Sequence, residues 1–407
     1  MAEWRRLPVS GISVHKGLIG GPFGSSLGSK DYVSSGVPVI RGTNLASQGK
    51  FDGRDFVYVS EGKARGQLAR NLALPGDVVF TQRGTLGQVG IVPALPFDAY
   101  VISQSQMRLR VDPEISLADF IYYQFRSPDM VAIIRNRAIA TGVPHINLGI
   151  LGAIEVSIPP IDEQRAIVAV LGALDDKIAI NECLATTVRA LGLAEYAQAV
   201  GAGEAFEMRL GALVSMLTRG VSPKYSADLD ELTVLNQKCI RGGRVTLAPA
   251  RKTLGMKVST AKRLAPHDVL VNSTGVGTLG RVARWTSDEE ATVDSHVTIV
   301  RLDPEKVDLM CGGFALLRAQ PEIETMGVGS TGQTELRRAQ LENLELLLPA
   351  VSRQPSLRAR LDTLETRSEA ALAESVTLAA LRDTLLPRLM SGKLRVRDAE
   401  RIVEDAV

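Results

Sequence analysis

The sequence predicts an α+β protein: two tandem mixed α/β domains, each followed by a long helix, the two helices forming an antiparallel coiled coil. Three observations predict it. The chain repeats itself at a shift of about 190 residues, each half opens with short β-type runs between turn residues, and each half closes on apolar residues at helical spacing. At 407 residues it is too long for one ordinary domain and can bury a core without disulfides or structural metal.

The repeat is an ordered series. Thr141, Gly142, Glu155, Pro159 and Gln164 match Thr331, Gly332, Glu345, Pro349 and Gln354, while Leu171, Leu174 and Leu191 fall on Leu361, Leu364 and Leu381. Earlier in each half, with small gaps, Pro75, Asp77 and Val78 pair with Pro266, Asp268 and Val269. Gly84-Thr85-Leu86-Gly87 pairs with Gly277-Thr278-Leu279-Gly280, Ser105 with Ser295, and Asp112-Pro113 with Asp303-Pro304. Chance supplies one such tetrapeptide, not the whole series.

Within the first half, strands are expected at Val37–Ile40, Phe56–Val59, Val78–Phe80 and Met107–Val111, separated by Gly, Pro, Asn and Ser clusters. A helical stretch follows from Leu117 to Arg137, with a counterpart near Phe314, and then a strand end at Ile158-Pro159-Pro160. The first long helix carries Ile167, Leu171, Leu174, Ile178, Leu184, Val188 and Leu191 at spacings of three and four, a coiled-coil seam. Asn181 in that seam is either a solvated interruption or a polar contact that fixes register. The second helix repeats the seam at Leu357, Leu361, Leu364, Leu378, Leu381 and Leu385, with Pro387 near its end. About 30–35 residues make a rod of roughly 45–50 Å, able to hold two domains apart. The expected units are 1–158, a helix at 159–204, 205–348, a helix at 349–396, and a short tail at 397–407.

Composition narrows the class. The 45% hydrophobic and 23% charged content is that of a globular chain, and 4% aromatics argue against base stacking on single strands as the main mode of action. Cys183, Cys239 and Cys311 form no CxxC pair, and His15, His145, His267 and His296 lie far apart, which argues against a zinc site. The opening MAEWRRLPVSG has no apolar h-region, and no run approaches a membrane span, so a cytoplasmic location is expected.

No catalytic constellation stands out. Gly275-Val-Gly277-Thr-Leu-Gly280 follows a strand-like Val269-Leu-Val271, but a dinucleotide site needs the last glycine to open a helix. The continuation RVARWTSDEEATV reads as another strand and an acidic turn, and the first copy lacks the first glycine. Gly24-Ser-Ser-Leu-Gly28-Ser-Lys30 fails as a phosphate loop because Ser29 separates Gly28 from Lys30. Ile158-Pro-Pro-Ile161 lacks the Asn/Asp and aromatic of an amino-methyltransferase. The chain reads as a non-enzyme.

The net charge of +2 hides an uneven distribution: +4 over residues 1–158, −4 over 159–204, and +1 in each of 205–348 and 349–407. Lys238, Arg241, Arg244, Arg251, Lys252, Lys257, Lys262 and Arg263 fall in one stretch with no acid among them. This favours a phosphate-facing patch over ordinary solvated surface. Polar loops at Gly24-Ser25-Ser26, Arg41-Gly42-Thr43-Asn44 and Thr81-Gln82-Arg83-Gly84-Thr85 are either plain turns or contacts to phosphates and base edges. The candidate DNA contacts are Ser25, Ser26, Lys30, Arg41, Asn44, Gln82, Arg83 and Thr85 in the first half. In the second they are Arg219, Lys224, Lys238, Arg241, Arg244, Lys252, Thr274 and Thr278.

These residues resemble the specificity subunit of type I restriction–modification systems. The carrying segments are GPFGSSL, DYVSSGVPVIRGTN, PGDVVFTQRGTLG, TGVPHIN, IPPIDEQRAIVAVLGALDDKIAIN and the C-terminal LRDTLLPRLMSGKLRV, spanning about Trp4 to Val396. The resemblance implies two target-recognition domains, each reading half of a split sequence in double-stranded DNA, with the helices as a ruler for the unread spacer. A rod of the expected length suits half-sites one duplex turn apart, about 34–36 Å. It implies two methyltransferase subunits docked on the chain, a restriction/translocase subunit in some assemblies, and no membrane partner. No cofactor is expected here; S-adenosylmethionine, and ATP and Mg in the restriction complex, belong to partner subunits. The second copy departs from the pattern, with Ala350-Val-Ser-Arg-Gln354-Pro355 where the first has Pro160-Ile-Asp-Glu-Gln164-Arg165, so Pro355 is expected to shift the helix start. GPFGSSL has no clear equal there, where Met216 to Pro223 occupies the region. The alternatives are a nucleotide-dependent enzyme built on Gly275–Gly280 and an interaction scaffold that does not bind DNA.

Overall fold

The computed structural model describes residues 4–45, 49–139, 142–228, 230–327 and 335–406. Of the residues discussed above, Met1, Ala2, Glu3, Thr141, Thr331 and Gly332 lie outside these. The chain divides into two units, one built from Met1–Glu182 with Ala373–Val407 and the other from Cys183–Leu372.

In unit one the β-type runs become strands at Val37–Ile40, Val57–Val59, Val78–Thr81 and Gln106–Val111. A four-stranded antiparallel sheet runs in the order Ser13–Gly20, Gln106–Val111, Val78–Thr81, Val89–Ile91. A second sheet of five short strands has Val37–Ile40 parallel to Tyr100–Ile102 at its centre. The central strands are buried on both faces, which explains why they read as near-continuous apolar runs and not as alternating ones. Unit two repeats this plan. Its sheet order is Val214–Arg219, Val297–Leu302, Val269–Asn272, Val282–Arg284, and Leu232–Leu235 pairs in parallel with Ala291–Val293.

The repeated motifs perform the same structural task twice. Asp77 takes a two-pronged bond from Arg110 at 2.7 and 2.7 Å, and Asp268 takes one from Arg301 at 2.8 and 2.6 Å. Each carboxylate also accepts the amide three residues before it, Leu74 or Ala265, at 2.8 Å. Gln164 and Gln354 donate to the carbonyls of Pro159 and Pro349 at 2.9 and 3.0 Å, tying each helix start to the strand before it.

The expected helix from Leu117 to Arg137 is two helices, Ala118–Arg126 and Pro128–Asn136. Pro128 cannot continue the first, and Ser127 caps the second by accepting the Met130 amide. The first long helix spans Ile161–Gly201 and the second Gln354–Met390, with Pro355 in its first turn, where a missing N–H costs nothing. They pair antiparallel. In unit one Asn181 donates to Glu374 at 2.8 Å and Asp175 meets Arg382 at 2.7 Å; in unit two Glu195 meets Arg360 at 3.1 Å.

Most of the seam lies where the spacing puts it. Ile167, Leu171, Leu174, Ile178, Val188, Leu357, Leu361, Leu378 and Leu385 are buried. Leu184, Leu364 and Leu381 are half-buried and Leu191 is exposed. Small residues take the contact line instead, through Ala185 and then Gly192, where an added methyl would come within 2.9 Å of the Phe314 ring. Asn181 is buried and bonded, which favours the register-fixing alternative; Asn181 and Lys177 hold the Glu374 carboxyl below the usual range. The stretch expected to be a tail is a helix, Val396–Ala406, whose Ala399 is buried in the core of unit one.

One carboxylate anchors each set of sheets to its helices. In unit one, buried Asp175 accepts from Arg382 on the second helix and from the Tyr123 hydroxyl at 2.8 Å. In unit two, Glu365 pairs with buried Arg284, whose guanidinium also meets His267 Nδ1 at 2.7 Å. His267 occupies the turn position that is Gly76 in the first copy, and both have positive φ, +69° and +85°. Burial, then the Arg284 cation, hold the His267 ring below its ordinary pKa, with Arg358 acting the same way and Asp362 and Asp308 opposing.

Two outcomes follow for stability. Trp4 lies in unit one and Trp285 in unit two, so each unit carries its own emission probe. Arg382→Leu, which strands Asp175 as a buried charge, should lower the stability read by Trp4 by about 3–5 kcal/mol in urea titrations. The Asp175→Leu/Arg382→Leu pair should recover most of that loss. His267 favours its neutral form when folded, so unit two should weaken as pH falls below about 6.5, where the unfolded chain protonates first. In His267→Gly this component of the Trp285-monitored acid sensitivity should vanish; an unchanged pH profile would contradict the assignment.

Candidate nucleic-acid interface

In unit one the strands Ser13–Gly20 and Val78–Thr81 end, and Gln106–Val111 begins, at the same sheet edge, with Met107 opposite Gly20 and Gln106 opposite Thr81. The loops leaving this edge are stitched together. The Gln82 amide donates to the Ser105 carbonyl at 2.7 Å, and Ile146 donates to the Gln82 carbonyl at 3.0 Å. Arg83 forms a backbone bridge with His145. The side chain of Gln104 donates to the carbonyls of Gly24 and Leu27 at 2.6 and 2.7 Å. Ser25, Ser26, Gln82, Arg83 and Thr85 are thereby gathered on one rim, with Ser25, Arg83 and Thr85 exposed and Ser26 and Gln82 half-buried.

The other first-half candidates behave differently. Asn44 is 0% exposed: its oxygen accepts the Arg41 amide at 2.9 Å, and its amide group donates to the carbonyls of Asp52 and Arg54, each at 3.0 Å. It shapes its loop and presents nothing to a ligand. Arg41 turns one guanidinium nitrogen back to the Asp55 carbonyl at 2.5 Å. Lys30 is exposed beside Asp31, whose carboxyl is held below the usual range by Lys63 at 2.8 Å and the Gly28 amide.

Unit two builds the same rim with other side chains. Arg219 lies opposite Thr298 and Asn272 opposite Val297. Arg219 pairs with Glu335 at 2.6 Å and donates to the Leu336 carbonyl at 3.0 Å. Thr274 bonds His296 Nδ1 at 2.7 Å and bridges Glu335 through its backbone, as Arg83 bridges His145 in unit one. The Thr278 hydroxyl turns inward to the Gly275 carbonyl at 3.3 Å. His145, Glu335, Gln104 and His296 were missed by sequence reasoning, although the shift of about 190 sets His145 directly over Glu335.

The basic stretch of unit two is partly occupied by its own fold. Arg251 stacks over the Tyr225 ring at 3.4 Å, Lys252 donates to the Thr233 hydroxyl at 3.1 Å, Lys262 to the Gly220 carbonyl at 2.8 Å, and Arg263 pairs with Glu290 at 2.5 Å. Arg244 is half-buried on a cavity of about 50 Å³ that Arg189, Phe314 and Glu365 also line, too small for a nucleotide. Lys224, Lys238, Arg241 and Lys257 are exposed.

The dinucleotide alternative fails on geometry. No helix opens after Gly280; the chain continues into the strand Val282–Arg284. The amides of Thr278, Leu279 and Gly280 bond the carbonyls of Gly275, Gly275 and Asn272, so they form a closed turn and not a phosphate cradle. Among the described residues no group of three or more His, Cys, Asp or Glu is placed to hold a metal, and no helix is long and apolar enough to cross a membrane.

Residues 29–189 match the family model described as the type I restriction modification DNA specificity domain. The S subunit of the type I restriction–modification system from M. genitalium matches across 95% of this chain and 96% of its own, at 15% identity and a TM-score of 0.55. The HsdS subunit from Thermoanaerobacter tengcongensis aligns over 97% of this chain and 98% of its own, at 16% identity and a TM-score of 0.37. No curated protein matches the sequence. The M. genitalium likeness shows the fold, and the family match is confined to the first half of the chain.

Proposed function

We propose that this chain, which carries a type I restriction modification DNA specificity domain, is the DNA-specificity subunit of a type I complex and reads a bipartite target. The observation that carries this is the pair of rims. One backbone plan is used twice, yet it presents Gln82, Arg83 and His145 in unit one and Arg219, Thr274, His296 and Glu335 in unit two. A duplicated scaffold with unlike rim chemistry suits two half-sites of different sequence, because base edges are told apart by donor and acceptor pattern.

On this reading the chain binds and positions, while chemistry lies with partners. Two methyltransferase subunits would bind equivalent surfaces of the repeated plan and bring S-adenosylmethionine, and a restriction subunit would bring ATP and Mg. The paired helices would set the spacer between half-sites, in a cytoplasmic complex.

Two experiments test it. Coexpression with the partner methyltransferase in a methylation-free host, followed by sequencing of modified bases, should show adenine methylation at a split target. A continuous short site, or methylation by this chain alone, would overturn the reading. Replacing Lys238, Arg241 and Lys257 together by alanine should flatten the slope of log affinity against log salt by up to about 3 units, near 0.9 per lost phosphate contact. An unchanged slope would remove this patch from the interface, and salt-insensitive or absent duplex binding would favour the scaffold alternative.

A further inference from the structure

Phe23 is 90% exposed, the most exposed large hydrophobic side chain among the described residues. It is held there by a loop with little freedom. The Gly21 amide donates to the Gln106 carbonyl at 2.8 Å, and any side chain on Gly21 would meet the Ser103 carbonyl oxygen at 2.1 Å. Pro22 and Leu27 are buried on either side, Gly24 turns the chain with φ at +57°, and the Gln104 side chain clamps the carbonyls of Gly24 and Leu27. The ring projects from a built pedestal.

Its surroundings distinguish two uses of an exposed ring. A docking face for protein is a contiguous apolar patch. Phe23 is followed by Gly24, Ser25 and Ser26, with exposed Lys30 farther along and Arg83 on the same rim, while the nearby acid, Asp31, is tied to Lys63. The rim also exposes Val143 and Leu148, but the residues that follow Phe23 on its own loop are small and polar. A ring set between such a loop and the Arg83 cation suits a nucleic acid, whose phosphates face the cations and whose base stack accepts the ring.

The geometry points to Phe23 as a wedge that inserts into the base stack of the half-site held by unit one. This rests on the reading of the chain as a DNA-specificity subunit. The ring would contribute by unstacking one base step and covering the exposed faces. Because Met216 to Pro223 replaces the GPFGSSL loop in unit two, the wedge belongs to one half-site only.

The test uses the complex of this chain with its methyltransferase partner and a duplex carrying the sequence that methylation mapping identifies. Phe23→Ala should weaken binding about 10-fold or more, the usual effect of losing one base–aromatic stack. Phe23→Trp should keep wild-type affinity, and its emission should be quenched when the duplex is added, against the background of Trp4 and Trp285. Wild-type affinity in Phe23→Ala, or unquenched emission in Phe23→Trp, would overturn the wedge while leaving the DNA-binding role intact. Failure of Phe23→Ala to assemble with the methyltransferase would also overturn it, by assigning the ring to a protein contact. Failure of the wild-type complex to bind the duplex would overturn the functional reading itself.

Discussion

An ion-paired carboxylate at one position of each repeat, buried in unit one and half-buried in unit two, organises the structure around it. Asp175 in unit one and Glu365 in unit two sit on long helices whose inner faces are otherwise mostly apolar, and a charge buried there demands a partner of defined geometry. The partners come from different places. Asp175 takes Arg382 from the facing helix and Tyr123 from the domain, whereas Glu365 takes Arg284 from a strand of its own domain. Burial holds the Glu365 carboxyl above its ordinary range against the opposing pull of Arg284. A one-turn slip of the helices in unit one would strand Asp175 and Arg382 together, so the apolar seam supplies affinity and the ion pair supplies register.

The repeat, the strands and most of the seam were legible because they depend on local pattern: β-branched runs between turn residues, and leucines at spacings of three and four. Leu191 shows where pattern stops. Phe314 packs against the helix from the domain side, and Gly192 beside it makes room, so the contact line shifts by one residue and Leu191 turns outward. The helix Val396–Ala406 reads as a tail because its charged residues outnumber its apolar ones, yet Ala399 is buried and Val396 and Val403 pack against the core of unit one. Asn44 reads as a contact because asparagine in a polar loop looks available, and only the fold shows its amide bonded within that loop. His145 escapes although it lies in the TGVPHIN segment, and Glu335 because no motif marks it; their meaning comes from the strand ends that they join.

The two rims show how a duplicated chain diverges in surface chemistry without changing its frame. The Asp77–Arg110 and Asp268–Arg301 forks and the Gln164 and Gln354 clamps recur with nearly the same distances, because the sheet and the helix starts depend on them. Side chains beyond the strand ends carry no such load and differ freely. Arg83 and His145 stand on one rim, Arg219 and Glu335 on the other, and the backbone bridging plan beneath them is the same.

Unit two is one continuous stretch of chain, whereas unit one is interrupted by it. Leu378, Leu385, Leu389 and Met390 belong to the same core as Val9, Phe120 and Leu171. Trp4 also lies against Gly392. During synthesis, therefore, unit two can close as soon as Leu372 is available, while residues 4–182 wait with an open apolar groove until the end of the second long helix is made. The half that begins first finishes last. That interval is when the unfinished groove is most exposed to wrong partners, including the equivalent helix of another copy, and when a chaperone would have most to protect.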